Sequence, residues 1–303
     1  MTRVGVVGAG TMGQHHARVY AEMGADLVGI ADPDLARAEV VAGKYGIGRE
    51  ADYRQLIGRV DAVSIAVPTS LHREIAVDLM RNGVHCLVEK PIAPTIDQAE
   101  EMVSEAGKSG VKLMVGHIER FNPVVARLKE FIDRGVLGEL MIISTRRVGP
   151  FVSRIRDVGI IIDTATHDID IARYLVGKEP IGVFSKAGKF RHQKEDHAIV
   201  VLDFGRTTAC IEVNWFTPHK MRSLVATGSE GIAYLDYIEQ ELTVYNHSED
   251  IKTVKMEKRE PLRLELEHFL GCIQHDTEPL VNGWEATRTL DIALRAERVV
   301  AHV

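Results

Sequence analysis

At 303 residues, 45% apolar and 26% charged with a formal net charge of −6, the chain is a globular protein long enough for two cores. The acidic balance disfavours nonspecific binding to nucleic acid or an anionic membrane, and no apolar run approaches the roughly 20 residues that span a bilayer. Three scattered cysteines (Cys86, Cys210, Cys272) form neither a disulfide framework nor a metal cluster, and the first strand follows the N-terminus with no room for a signal peptide, which predicts a cytoplasmic protein.

Arg3 to Val7 reads as a strand and Thr11 to Met23 as a helix, with Gly8-Ala9-Gly10-Thr11-Met12-Gly13 between them. In such a turn the first glycine permits the bend, the second lets the backbone approach a diphosphate, and the third lets the helix lie on the strand. The helix N-terminus then supplies N–H groups and positive dipole to the anion. A second strand, Leu27 to Ala31, ends at Asp32, roughly 20 residues past the glycines, where an acid binds ribose hydroxyls. Asp32 would repel a 2′-phosphate, so the expected cofactor is NAD rather than NADP. Val60 to Val67 is a buried strand ending at Pro68, Leu71 to Arg81 a helix, His85 to Val88 a strand, Thr95 to Ser109 a helix and Val111 to Val115 another strand. Alternating β and α units predict a doubly wound parallel sheet, with ligands beyond the carboxyl ends of its strands. Glu89-Lys90-Pro91 stands at one such end. An ammonium there can polarise a hydroxyl and stabilise charge on its oxygen, although lysine before proline is also an ordinary strand exit.

At Asn122-Pro123 the character changes: asparagine as N-cap and proline at the first helical position open a helix to Asp133. The stretches Leu140 to Val148, Ile181 to Phe190, Ala198 to Phe204, Thr208 to Phe216, Leu224 to Thr227, Ile232 to Tyr237 and Leu242 to Tyr245 read as a large, mainly antiparallel sheet. Both faces of Ile199 to Phe204 are apolar, which calls for helices on one side and another subunit on the other. The predicted domains are 1–121 and 122–284, followed by an amphipathic helix from Glu285 to Val300.

Three groups in this half could do chemistry. On a helix from Asp163 to Val176 turning roughly 100° per residue, Asp163, His167, Asp170 and Tyr174 share a wedge of roughly 60° facing a cleft or solvent. Asp163 at i and His167 at i+4 suit a carboxylate-oriented general base, or simply an acidic exposed face. Arg146, Arg147, Arg154 and Arg156 could hold an anionic substrate, or form a solvated surface or subunit contact. Trp215, with Asn214 and His219, lines the same cleft or packs in the core. His117, Asp196 and His197 lack metal-ligand spacing, so no metal is expected.

These pieces together resemble the Gfo/Idh/MocA family of dehydrogenases. The matches are the glycine turn with His15-His16, Pro68-Thr69-Ser70-Leu71-His72, Glu89-Lys90-Pro91, Arg120-Phe121-Asn122-Pro123, and Asp163 with His167 and Asp170, in order along nearly the whole chain. The resemblance implies a Rossmann domain and an α/β domain whose open sheet serves oligomerisation, with the C-terminal helix packed back on the first domain. It makes Lys90 and His167 the catalytic pair, Asp163 the residue positioning them, and Pro68, Thr69 and His72 neighbours of the cofactor. Substrate contacts would come from Lys90, Asn122, Arg147, Arg154, Asp163, His167 and Asn214. Within the family, Gly116 to Pro123, Arg147 to Phe151, Arg154 to Gly159 and Glu212 to Trp215 are similar to the UDP-N-acetylglucosamine 3-dehydrogenase group. The implied activity is oxidation of the 3-hydroxyl of a UDP-N-acetylhexosamine by NAD. The rivals are an inositol or free-sugar dehydrogenase and a non-catalytic NAD-binding regulator.

Overall fold

The computed structural model describes residues 1–151, 158–246 and 252–300. The chain divides into two compact units: residues 1–118 with 260–288, and residues 119–259 with 289–303.

In the first unit, β1 (Arg3–Val7), β2 (Asp26–Ala31), β3 (Gly48–Glu50), β4 (Ala62–Ile65), β5 (His85–Glu89) and β6 (Leu113–Gly116) pair in the order β3-β2-β1-β4-β5-β6. Every pair is parallel. Parallel strands need covered faces, and β4, β5 and β6 are accordingly near-continuous apolar runs. The connections are α1 (Thr11–Glu22), α2 (Leu35–Tyr45), α3 (His72–Arg81) and α4 (Ile96–Ser109). The α2 helix and β3 were not among the expected elements; Asp34 caps α2 by accepting from Arg37 N–H at 3.1 Å, and Gly46 closes it at φ 67°.

Membership of the units departs from the domain limits read from the sequence. The helix α7 (Pro261–His275) belongs with the nucleotide-binding fold because it packs on α1, burying Leu262, Leu266 and Phe269. Arg18 on α1 is ion-paired with Glu260 just before it. Beyond it, Val115 N–H bonds the Val281 carbonyl at 3.0 Å. The last helix, α8 (Gly283–Val300), is shared by the division: from Thr289 onward it belongs to the second unit, where Ile292, Ala293 and Ala296 enter the core. The expectation that the whole helix packs on the first domain is corrected to its opening turns.

The second unit carries β7 (Leu140–Pro150), β8 (Gly182–Gly188), β9 (His197–Asp203), β10 (Thr208–Asn214), β11 (Phe216–Gly228), β12 (Gly231–Asp236), β13 (Glu241–Asn246) and β14 (Lys252–Lys255), in the order β14-β13-β12-β11-β7-β10-β9-β8. Only β7 with β10 is parallel. Register explains the two faces. The in-register row Leu235, Leu224, Thr145, Ile211 and Val200 is buried, packed under α5 (Pro123–Asp133) and α6 (Thr166–Val176). One residue along, the row Tyr234, Val225, Ser144, Cys210, Val201 and Phe184 lies on the opposite face, with Tyr234 47% and Phe184 60% exposed. Period-two alternation thus yields one core face and one apolar face that no described residue covers.

Candidate functional site

At the nucleotide end of the first unit, two glycines leave no room for a side chain. A Cβ on Gly13 would lie 1.7 Å from the Gly8 carbonyl oxygen, so α1 rests directly on the turn. Gly8 itself has φ +98°, and its Cβ would strike the Ala66 carbonyl. Gly10 faces open space, and α1 starts without a side-chain cap, leaving backbone N–H groups for an anion. Thr11 is exposed and Met12 half-buried at the same end. Asp32, at the end of β2, is held by N–H groups of Ala9 at 2.7 Å and Asp34 at 2.8 Å. Each carboxylate oxygen keeps a lone pair for a ribose hydroxyl. These features fit NAD. A Gly13→Ala variant must push α1 off the turn; NADH titration should show at least a ~10-fold weaker affinity, with a stability loss of about 1–3 kcal/mol.

At the neighbouring strand ends, Pro68 is exposed and Thr69 half-buried. His72 is instead 1% exposed, its two ring nitrogens 3.0 Å from the Val67 and Pro91 carbonyls. It ties the exits of β4 and β5 together rather than presenting its ring, and burial pushes its pKa down. Glu89 ends β5 and Lys90 follows, joined to Pro91 by a cis peptide. Buried His16, one residue past exposed His15 on α1, hydrogen-bonds Glu89 at 2.8 Å. Burial works to raise the Glu89 carboxyl, but the His16 bond and the nearby His16 and Lys90 charges win and hold it below the ordinary range.

Glu265 on α7 is the acid in this unit that no spacing pattern singles out. It is 0% exposed and neither carboxyl oxygen has a hydrogen-bond partner. Burial first, and the Glu89 charge second, push its pKa well above the usual carboxylate value. The unfolded group titrates near ~4.3, so its stabilising contribution is full below that pH and is lost as pH rises through the higher folded value. Chemical denaturation of Glu265→Gln between pH 5 and 9 should therefore give a flatter pH dependence than the parent. A parallel slope in the two proteins would show that Glu265 is ionised in the fold.

In the second unit the predicted helix opens differently. Ile161–Ala165 is a π-helical turn, and α6 begins only at Thr166. Thr166 N–H reaches the Ile161 carbonyl, and its hydroxyl donates to the Ile162 carbonyl at 2.8 Å. The 100° wheel does not apply before that residue. Nor is the polar stripe open, since Asp168 and Asp170 are each 1% exposed. Asp170 receives Arg120 through two bonds, 2.7 and 2.8 Å, and the Thr289 hydroxyl at 3.0 Å. Asp168 receives Arg147 at 2.7 Å, and Arg147 also bonds Glu119 at 2.8 Å. Burial opposes the Arg147 cation, yet Asp168 and Glu119 outweigh it and raise its pKa. Asp163 and His167 remain half-buried, as does Tyr174.

Several residues expected at the substrate make bonds within the fold. Arg147 is 5% exposed and consumed by two carboxylates. Asn122 is 2% exposed, capping α5 and donating to the Tyr237 carbonyl at 3.1 Å. The Asn214 side-chain oxygen is taken up by N–H groups of Phe216 and Thr217, both at 3.1 Å, and by the Thr217 hydroxyl at 2.9 Å. Trp215 joins the core beside Phe151. Arg154 and Arg156 lie outside the described residues. Among the described residues, no group of three His, Cys, Asp or Glu side chains gathers as a metal site would.

Comparison with known proteins agrees with both units. Residues 2–117 match the model of the oxidoreductase family with NAD-binding Rossmann fold, and 125–234 match the GFO/IDH/MocA C-terminal domain. The chain is 28% identical to the UDP-N-acetylglucosamine 3-dehydrogenase of Acidithiobacillus ferrooxidans, over 98% of this chain and 97% of that one. The solved structure of that enzyme superposes with a TM-score of 0.93, covering 99% of this chain and 98% of that chain at 29% identity. The chain is 32% identical to the scyllo-inositol 2-dehydrogenase (NAD(+)) of Bacillus subtilis, over 97% and 92% of the two chains. It belongs to the Gfo/Idh/MocA family of NAD-dependent oxidoreductases. No described helix is long and apolar enough to cross a membrane.

Proposed function

We propose that this oxidoreductase converts the 3-hydroxyl of UDP-N-acetylglucosamine, or of a related UDP-N-acetylhexosamine, to a ketone. The observation that carries the reading is selective access on one helical segment. Asp168 and Asp170 are sealed in ion pairs, and the acid and imidazole left half-buried are Asp163 and His167. That is the pair a hydroxyl oxidation requires: a base for the proton and a carboxylate to orient it. Full-length similarity to a UDP-N-acetylglucosamine 3-dehydrogenase favours the nucleotide sugar.

When bound, NAD accepts the hydride from the carbinol carbon. His167 takes the hydroxyl proton, and Asp163 orients its ring. The Lys90 ammonium steadies the charge developing on the oxygen. Glu89, tied to His16, anchors the strand end from which Lys90 projects. Lys90→Ala and His167→Ala should each lower turnover by about 10²- to 10⁴-fold with NADH affinity within a few-fold of the parent. Parental turnover in either variant removes that residue from the mechanism.

A free polyol is the second reading, favoured by 32% identity to a scyllo-inositol dehydrogenase. NAD reduction with UDP-N-acetylglucosamine, inositols and aldoses separates the two by which class turns over faster. No reduction with any of them, alongside retained NAD binding, points to a regulator instead.

The apolar sheet face fits a second copy of this chain, making the enzyme a homo-oligomer. Native mass spectrometry of a Phe184→Asp, Tyr234→Asp variant should show monomer where the parent shows a dimer or tetramer. A monomeric parent overturns this assignment.

A further inference from the structure

Arg147 and Arg222 are opposite one another in the register of β7 and β11. Both lie on the helix-covered face, two residues along their strands from Thr145 and Leu224. Two like charges facing each other across a strand pair destabilise a sheet, so the pair asks for a cause. Arg147 has one: it is spent on Asp168 and Glu119. Arg222 does not share it. Its closest carboxylate oxygen is Glu119 Oε1 at 3.6 Å, beyond hydrogen-bond length, and Arg147 already occupies that oxygen at 2.8 Å. The Arg222 side chain is 42% exposed, and Asp163 is among the charges that act on it. A guanidinium set among ion pairs, with Asp163 among the charges that reach it, thus keeps its planar fork of donors available among the described residues. Such a fork matches the paired oxygens of phosphate or carboxylate.

We propose that Arg222 is a substrate-binding residue of the second unit, which holds an oxyanion of the substrate by a forked contact. This rests on the nucleotide-sugar reading, and under that reading the group is the diphosphate. Arg222 takes the role that the sequence assigns to Arg147, whose donors are used within the fold. Burial and the Arg147 cation both work against the Arg222 charge, while Glu119, Asp168 and Asp163 support it. An incoming anion adds to that support, and desolvation of the pair strengthens it.

The test uses the full chain with NAD, in the parent, Arg222→Gln and Arg222→Lys. KM for UDP-N-acetylglucosamine should rise about 10- to 100-fold in Arg222→Gln, by more than kcat falls. Arg222→Lys should recover part of that loss, because a point charge remains without the fork. NADH affinity and thermal midpoint should stay near the parent values, separating lost contact from lost fold. An unchanged KM in Arg222→Gln, with the parent turning over the nucleotide sugar, overturns the proposal. If the parent oxidises only free polyols, the nucleotide-sugar reading fails by itself. Calorimetry with UDP then decides: binding by the parent that is lost in Arg222→Gln sustains the anion site, and no binding by the parent ends it.

Discussion

Access to the candidate chemistry in the second unit depends on the fork of Arg147 into Asp168 and Glu119, two carboxylates from different parts of the chain. Together with Arg120 on Asp170, it pins the start of α6 to β7 and to the turn before α5. Buried ion pairs of this kind add little net stability, because desolvation offsets their attraction, but removing one partner leaves an uncompensated charge. Their service here is geometric. Asp168 and Asp170 are fixed in ion pairs, so that in the proposed function His167 and Asp163 act without either of them as a competing free carboxylate. The π turn before α6 serves the same end, setting Asp163 on a wider turn than an α-helix would give it.

Much of the first unit was legible because its determinants are local. A Cβ at Gly13 has nowhere to go, and apolar runs such as Ala62–Ile65 read directly as buried parallel strands, whereas α2, bounded by Asp34 and Gly46, went unread. In the second unit, Asn122 and Pro123 declared the start of α5 for the same reason. The alternating faces of the large sheet were legible as well, since period two is a property of each strand alone.

What could not be read is who sits across from whom. Arg147 looked like a substrate ligand because its partners, Glu119 and Asp168, are distant in sequence and arrive only through tertiary packing. Arg222 drew no attention because its significance comes from strand register with Arg147. Glu265 occupies an ordinary position in an amphipathic helix, and its burial follows from where α7 packs. Charge counts and helical wheels are silent on all three.

The assignment of residues 260–303 carries a consequence for biosynthesis. Residues 260–288 complete the nucleotide-binding unit and residues 289–303 belong to the other. A nascent chain that has just emerged through β14 therefore has two unfinished cores, one lacking Leu266 and Phe269, the other Ile292 and Ala296. Both finish with the same late segment, which ties completion of one core to completion of the other.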